Sequence, residues 1–166
     1  MLPDISLMDM RVGQIVEVWP NPNSEKLYNE KVDLGNGEIR SIASGLQKLI
    51  PIDQMKGAMC VVLCNLKPRT LAEYVSHGMI LCAETPDRLT AELLQPPPGS
   101  KPGDLISFAG FERSPPAELN AKKKHWENVQ EKLKIDASGV ACYGDIPLAT
   151  DKGVVKSKAI VNGVIH

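Results

Sequence analysis

The sequence of 166 residues is 43% hydrophobic and 23% charged, and it carries a formal net charge of −1. A chain of this length buries roughly 70% of its unfolded surface, so it needs neither disulfide bonds nor a metal in order to fold. The near-neutral charge excludes binding of a polyanion through a bulk positive field, and the short apolar runs exclude a transmembrane helix, which needs about 20 residues.

The first two thirds of the chain predict short strands separated by Pro and Gly turns. Residues 1–10 form a short lead, Gly13 predicts a bulge or bend in the first strand, and Gly35-Asn-Gly37 predicts a hairpin turn. Asp53–Lys56 predicts a short helical turn. The predicted strands are Arg11–Trp19, Lys26–Leu34, Ile39–Ser44, Met59–Leu66, Met79–Ala83, Leu89–Leu94 and Leu105–Phe108. Their spacing indicates a closed antiparallel barrel or a sandwich.

The stretch from Cys64 to Ala83 joins the two most apolar strands through a polar insert. This insert carries Lys67, Arg69, Ser76 and His77. We predict that it is a loop on one rim of the sheet. Cations and hydroxyl groups presented by a rigid strand pair are suited to hold a phosphate or a base, so this loop is the first candidate for a binding site.

The composition changes near residue 110. Ser114-Pro-Pro116 predicts a linker, and a helix follows with Asn120 as its N-cap. Trp126, Val129 and Leu133 recur on one helical face. Gly139–Tyr143 and Val154–Val161 then predict short strands, so the tail is a small α+β extension.

The sequence carries no signal for catalysis. The four cysteines lack a zinc-like spacing and are expected to be small buried hydrophobic residues. Ser76 and His77 are adjacent in sequence, which does not indicate a catalytic triad. Without a phosphate-binding glycine loop or a nucleophile–base pair, we predict no catalytic residue, no metal site and no cofactor.

Several landmarks resemble the tRNA-binding domain family typified by endothelial monocyte-activating polypeptide II. They occur in one order along almost the whole chain: Arg11-Val-Gly13, Pro22-Asn-Ser-Glu-Lys-Leu-Tyr28, Val32-Asp-Leu-Gly35, Ser44-Gly-Leu46, Cys64-Asn-Leu-Lys-Pro68, Ser76-His-Gly-Met79, Pro98-Gly-Ser-Lys-Pro-Gly-Asp104 and Glu118-Leu-Asn-Ala-Lys-Lys-Lys-His-Trp-Glu127.

The resemblance implies a mainly β fold. A five-stranded oligonucleotide-binding (OB) barrel would span residues 4–108, and a C-terminal extension over residues 109–166 would mimic the second subunit of dimeric relatives. The protein is then expected to be a monomer. The implied function is non-catalytic, largely sequence-independent binding of tRNA, in support of an aminoacyl-tRNA synthetase that is fused to the chain or associated with it. Independently of the resemblance, a sequence without a signal peptide, transit segment or transmembrane run predicts a cytoplasmic location.

The resemblance and the residue types together suggest the tRNA contacts. Cations would meet phosphates, hydroxyl groups would donate hydrogen bonds, and Met79 would offer an apolar surface to a base or ribose. The candidate set is Lys26, Arg40, Ser44, Lys67, Arg69, Ser76, Met79, Lys122 and Lys123. Lys26, Arg40 and Arg69 could equally be plain surface charges, Ser76 could cap a turn, Met79 could belong to the core, and the lysine cluster could be a solvated face.

Two further expectations qualify this interpretation. Thr70, Ala72 and Glu73 stand where relatives tend to carry more basic residues, which predicts weak binding by the isolated chain. The alternative function is cytokine-like signalling or protein interaction after release from a parent protein and secretion. It would depend on the segment Arg11–Glu17, in which Glu17 departs from the uncharged pattern of the family.

Overall fold

The structure is a computed structural model that describes residues 4–166 and consists mainly of β-strands. Residues 1–3 of the predicted lead lie outside the described residues. Ile5–Leu7 forms a single 3-10 turn, and the Asp4 side chain caps this turn by accepting a hydrogen bond from the Ser6 N–H group. The buried side chains of Ile5 and Met8 then anchor the lead in the core.

The first sheet contains five antiparallel strands. Their bounds are β1 Met10–Pro20, β2 Tyr28–Asp33, β3 Ile39–Ser44, β4 Met59–Leu63 and β7 Met79–Ile80. Their spatial order is β3, β2, β1, β4, β7. The sheet curls until its edges meet, where His77 N–H donates to the Ser41 carbonyl (2.8 Å) and Ala43 N–H donates to Ser76 Oγ (3.0 Å). The predicted five-stranded OB-like barrel is therefore confirmed.

The bend in β1 lies at a different residue from the one predicted. The register with β2 shifts between Ile15 and Glu17, so the bulge is at Val16 and not at Gly13. Gly13 instead permits close packing, because a Cβ atom there would lie 2.8 Å from Val32 Cγ1 and 3.1 Å from Val62 Cγ2. Its missing side chain makes room for the barrel core.

Strand β4 is buried on both faces, as its apolar sequence predicts. Cys60 and Val62 belong to the core inside the barrel, whereas Val61 and Leu63 belong to a second core outside it. This second core also contains Trp126 and other apolar residues of the extension. One strand thus separates the two hydrophobic cores. All four cysteines are buried and unpaired, in agreement with the interpretation that they are small hydrophobic residues.

The second sheet combines strands from both sides of residue 108. Its strands are β8 Cys82–Glu84, β9 Ala91–Leu93, β10 Ser107–Phe108, β11 Leu133–Ile135, β12 Ala141–Tyr143, β13 Ile146–Thr150, β14 Gly153–Val154 and β15 Val164–Ile165. The spatial order is β10, β13, β12, β11, β15, β8, β9, with β14 beside β13. A continuous ladder therefore joins the extension to the barrel, and the division into residues 4–108 and 109–166 stays a prediction.

The helical part of the extension is shorter than predicted. Asn120 does cap it, since its side chain accepts a hydrogen bond from Lys122 N–H (3.0 Å), but the cap begins a 3-10 turn over Ala121–Lys123. Lys124 then takes a left-handed conformation (φ 51°), and α2 covers only His125–Gln130. Leu133 is the first residue of β11, so its assignment to the helix was wrong.

The other helix, α1, is the predicted turn and spans Ile52–Met55. Neither of these helices is long and apolar enough to cross a membrane, nor is any other helical segment between residues 4 and 166.

The polar insert after β4 is a hairpin and not a loop. Strands β5 Arg69–Leu71 and β6 Tyr74–Ser76 pair directly, and the turn residues Ala72 and Glu73 have positive φ angles of 46° and 67°. The tip is tied to the turn after β1: Asn21 donates to the Ala72 carbonyl (3.2 Å), and Asn23 donates to the Glu73 carboxylate (3.0 Å).

Candidate nucleic-acid interface

The buried side chain of Asn65 fixes the chain where β4 ends. Its amide donates to the carbonyl groups of Leu7 (2.9 Å) and Pro116 (3.0 Å), and its side-chain oxygen accepts from Asp9 N–H (3.1 Å). Its own carbonyl accepts from Leu119 N–H (2.7 Å). The lead, the barrel and the extension therefore meet at one residue, directly before the candidate cations Lys67 and Arg69.

A groove of about 280 Å³ lies beside this junction. The barrel side contributes Leu66, Lys67, Arg69 and Met79, and the extension contributes residues 119–121 and 124–127. We call this feature the junction groove. It brings together three of the predicted site residues, and it shows that the barrel rim and the extension form one surface.

The cations around the junction groove are exposed and free of carboxylate partners. Lys67, Arg69 and Lys124 are exposed, and none of them forms an ion pair with any residue of the described range 4–166. Lys122 and Lys123 are also exposed and lie on the adjoining 3-10 turn. Unpaired cations of this kind remain available to an anionic partner.

Arg40 and Ser76 lie close to the hairpin but are engaged in closing the barrel. The Arg40 guanidinium donates to the carbonyl groups of Cys64 (2.6 Å) and His77 (3.2 Å) and to the Glu38 carboxylate (2.6 Å). Ser76 is buried, and its hydroxyl donates to the Gly78 carbonyl (3.0 Å) while it accepts from Ala43. Arg40 also lines a separate cavity of about 460 Å³ together with Pro68. The proposal that these residues bind RNA stays a prediction.

Ser44 and Lys26 lie outside the junction groove. Ser44 is buried, and its hydroxyl donates to the carboxyl group of Glu30, which is fully buried. Burial raises the pKa of Glu30 to about 8, although the Ser44 hydrogen bond opposes the rise.

Lys26 is exposed on the turn whose residues Asn21 and Asn23 hold the hairpin tip. Its contact with RNA stays a prediction.

The junction groove is also lined by Lys124, His125 and Trp126, none of which was among the predicted site residues. Lys124 belongs to the lysine run whose first two members were selected. Its left-handed backbone turns it away from the regular 3-10 repeat, and no local sequence signal reveals this. Trp126 was recognised only as a core residue. It is indeed 7% exposed and packed in the second core, yet it also forms part of the groove wall.

The segment Arg11–Glu17, on which the signalling alternative depends, lies in β1. Val12 and Ile15 are buried in the two cores, and Arg11 pairs with the carboxylates of Asp9 (2.8 Å) and Glu38 (3.3 Å). Val16 and Glu17 are exposed at the bulge. The segment is thus part of the central strand of the barrel, and its signalling role stays a prediction.

Comparison with known proteins gives consistent matches over most of the chain. The family model described as "Putative tRNA binding domain" matches residues 10–105. The cytoplasmic methionine–tRNA ligase of Arabidopsis thaliana is 44% identical over 159 residues, which cover 96% of this chain and 20% of the ligase. The aminoacyl tRNA synthase complex-interacting multifunctional protein 1 of Cricetulus griseus is 42% identical over 163 residues, which cover 98% of this chain and 45% of that protein.

A solved structure extends the similarity to the whole fold. The C-terminal domain of Plasmodium vivax p43 superposes with a TM-score of 0.92 at 30% sequence identity, and the match covers 99% of this chain and 100% of that domain. The extension is therefore included in the shared fold. In contrast, the chain spans less than half of the length of the two relatives described above.

Proposed function

The chain belongs to the tRNA-binding domain family, and we propose that it is a non-catalytic module that binds tRNA in support of an aminoacyl-tRNA synthetase. The observation that carries this proposal is the set of exposed, unpaired cations Lys67, Arg69 and Lys124 around the junction groove. Such cations neutralise phosphates, the feature that every tRNA presents along its backbone.

Binding of this kind carries little sequence information. Cations that contact phosphates fix the position of a nucleic acid but do not read its bases, so different tRNAs are expected to bind with similar affinities. Glu73 at the hairpin tip and Glu127 in the groove oppose an approaching polyanion. With roughly three to five phosphates neutralised, the affinity is modest and its salt dependence is shallow.

Modest affinity suits a module that works next to an enzyme. When a weak binder is tethered to a synthetase, the tRNA that it holds reaches the active site at a high effective concentration. Two relatives are named as a methionine–tRNA ligase and as a protein that interacts with the synthetase complex, which supports a synthetase as the fused or bound partner. The name of the ligase also supports a cytoplasmic location.

We further propose that the protein acts as a monomer. The second sheet is completed within one chain, because β15 of the extension pairs with β8 of the barrel region. The extension thereby covers the outer face of β4 with its own apolar residues, which leaves this face closed to a second subunit. This arrangement supports the interpretation of the extension as a substitute for a dimer partner.

The proposed function is tested with the double variant Lys67→Ala/Arg69→Ala. At low salt, we expect its affinity for tRNA to fall about tenfold and the slope of log K against log salt to decrease by about 2, because two phosphate contacts are lost. Fluorescence titration of several unrelated tRNAs measures both quantities.

A matched control removes two charges elsewhere. Lys56 and Lys158 are exposed, and Lys56 precedes β4 at the end opposite to the hairpin. Lys56→Ala/Lys158→Ala changes the net charge by the same amount and is expected to change the affinity less than about twofold. Equal losses in the two double variants would contradict a local site, and the absence of tRNA binding by the unmodified chain would contradict the function itself.

A further inference from the structure

The junction groove differs from a simple phosphate-binding surface because its floor is apolar. Leu66 and Met79 from the barrel meet Leu119 and Trp126 from the extension. Its volume of about 280 Å³ lies at the lower limit of the roughly 300–1,000 Å³ found for small-molecule sites. The groove therefore matches a single flat group better than an extended segment or a rigid double helix.

The rim of the groove carries positive charges. They suit the phosphates of a nucleic-acid backbone on either side of such a flat group. Lys67 and Arg69 stand on the barrel side, and Lys124 stands on the side of the extension. Lys124 holds this position in a left-handed conformation, which side chains adopt reluctantly and which glycine tolerates best. Lysine at such a position is explained by its charge rather than by stability.

One residue that lines the groove, His125, has a polar atom without a partner. His125 Nδ1 is buried and makes no hydrogen bond to any residue between 4 and 166. A buried ring nitrogen normally has a hydrogen-bonding partner, and here a ligand could supply one. The edge of a nucleobase carries both donors and acceptors, and it could pair with this nitrogen once the imidazole ring rotates toward the groove.

We propose that the junction groove receives one unstacked base from a single-stranded segment of RNA, with the flanking phosphates on Lys67, Arg69 and Lys124. The base would lie against Met79 and Trp126, as single-stranded nucleic acids do on apolar and aromatic platforms. This inference rests on the proposed function and deepens it, because it assigns unpaired nucleotides as the feature of tRNA that this groove binds. Three cations around the floor favour a nucleotide over an apolar side chain of a protein partner.

The binding of a base is detected through Trp126. The chain contains two tryptophans, and Trp19 packs edge-on against Tyr74 on the barrel. Replacing Trp19 by Phe retains an aromatic ring there and leaves Trp126 as the sole tryptophan. In this Trp19→Phe background we expect a short single-stranded RNA to quench the fluorescence of Trp126. The same RNA annealed to its complement is expected to bind without quenching, since its bases stay stacked.

An uncharged variant separates groove binding from charge. Ala121 is exposed and lines the groove, so Ala121→Leu fills it without removing a cation. We expect this variant to bind single-stranded RNA about tenfold more weakly and duplex RNA unchanged, because stacking is lost and charge is retained. Ala137→Leu places the same substitution on an exposed alanine of the turn after β11 and is expected to leave both affinities unchanged.

A second variant removes the possibility that lost binding reflects lost structure. Lys124→Gly deletes a rim cation but relieves the strain of the left-handed backbone, so we expect weaker binding of single-stranded RNA together with a higher melting temperature.

Equal quenching of Trp126 by both RNA forms, or equal losses for both forms in Ala121→Leu, would overturn the groove proposal while tRNA binding stands. If neither RNA form nor tRNA binds at low salt, the proposed function fails as well. Quenching by an apolar peptide but not by single-stranded RNA would indicate a protein partner and overturn the proposal.

Discussion

At the scale of single residues, Glu30 shows how a buried carboxyl group affects the stability of the barrel. It is fully buried, one of its oxygens has no hydrogen-bond partner among residues 4–166, and the other oxygen meets Ser44. Its neighbours Tyr28, Cys60 and Cys82 are also titratable, and burial raises the pKa of each of them as well. Among residues 4–166, no cation forms an ion pair with this carboxyl group, so the neutral form of Glu30 is favoured.

The raised pKa of Glu30 predicts that stability falls with rising pH. In the unfolded chain Glu30 loses its proton near 4.5, whereas in the folded protein it does so near 8. The contribution of Glu30 to the free energy of unfolding is complete below its pKa in the unfolded chain. It is lost as the pH rises through its pKa in the folded protein, at a rate of up to about 1.4 kcal/mol per pH unit. Glu30→Gln should remove this dependence, because an amide does not ionise.

Urea unfolding between about pH 5 and about pH 9 measures this effect. We expect the free energy of unfolding of Glu30→Gln to exceed that of the unmodified protein by a margin that grows up to about pH 8 and then levels off. The control Glu17→Gln changes an exposed carboxylate at the bulge of β1 and should leave the pH dependence unchanged. Parallel pH profiles for Glu30→Gln and the unmodified protein would show that Glu30 is already ionised in the fold.

The residue scale also shows which site residues the sequence could reveal. Lys67, Arg69 and Met79 were found because they lie next to a recognisable apolar strand, and the structure brings them to one groove. Arg40 was chosen as a cation that could extend the patch, and Ser76 was chosen as a hydroxyl group of the polar insert. Their side chains bond to carbonyl and amide groups that come from distant parts of the chain. Such contacts depend on barrel closure and leave no local signal.

At the scale of elements, the hairpin β5–β6 is built on an unfavourable turn. Both turn residues, Ala72 and Glu73, have positive φ angles, which is typical of a type I′ turn and of Asn or Gly rather than Ala and Glu. The absence of those residues explains why the sequence predicted a loop. The hairpin forms nevertheless, because Asn21 holds its tip through a partly buried hydrogen bond and Ser76 holds its base, whereas the hydrogen bond of Asn23 is exposed and adds little.

We therefore expect Ala72→Gly to stabilise the protein. Removal of the Cβ atom relieves the left-handed conformation, and the free energy of unfolding should rise by about 1 kcal/mol. The control Thr70→Gly places glycine within β5, where the extended backbone gains nothing, and should lower the stability by about 0.5–1 kcal/mol. Thermal melting followed by circular dichroism distinguishes the two variants, and a lower melting temperature for Ala72→Gly would contradict this account of the turn.

The helix in the extension shows a limit of periodicity. Trp126, Val129 and Leu133 are all buried in the same core, which is what their spacing predicts. The chain nevertheless leaves α2 at Gln130 and enters β11 at Leu133, so two different elements supply that apolar face. Strand β13 was missed for a related reason, because Pro147 within it argues against a strand.

At the scale of the whole molecule, Asn65 connects the barrel with the extension. Asn65 follows β4 of the barrel and is 1% exposed, and its side chain makes hydrogen bonds to Leu7 and Asp9 of the lead and to Pro116 in the linker. A second connection is electrostatic, because the Asp9 carboxylate pairs with both Arg11 and Arg113. Burial alone would raise the pKa of Asp9, yet these two arginines outweigh burial and lower it.

We expect Asn65→Ala to destabilise the whole protein. The variant leaves the buried polar groups that bond to Asn65 without partners, and the expected loss is about 3 kcal/mol in the free energy of unfolding. Because the same residue aligns the two sides of the junction groove, tRNA affinity should fall as well. Urea unfolding and tRNA titration measure these effects.

The control Asn23→Ala removes an exposed hydrogen bond at the hairpin tip and should lower the free energy of unfolding by less than about 0.5 kcal/mol. A similar cost for both variants would contradict the role of Asn65.

The overall architecture was more predictable than its connections. The mainly β fold and the barrel follow from short apolar strands, Pro and Gly turns and the ordered landmarks. The sharing of the second sheet was not predictable, since strands of two or three residues such as β10, β14 and β15 contain too few positions for a pattern. Phe108 of β10 and Ile165 of β15 are buried in the core that also contains Val61 and Leu63, so contacts from distant parts of the chain support these short strands.

The shared sheet also has a consequence for the order of events during protein synthesis. Strand β8 pairs with β15, and Cys82 exchanges backbone hydrogen bonds with His166 (2.6 and 3.0 Å), although these segments lie far apart in the sequence. Contacts of such long range slow folding, because a large loop must close before any stabilisation is gained. The edge of β8 therefore stays uncovered on the ribosome until residues 164–166 emerge, and the nascent barrel is open to pairing with other strands for the whole of that interval.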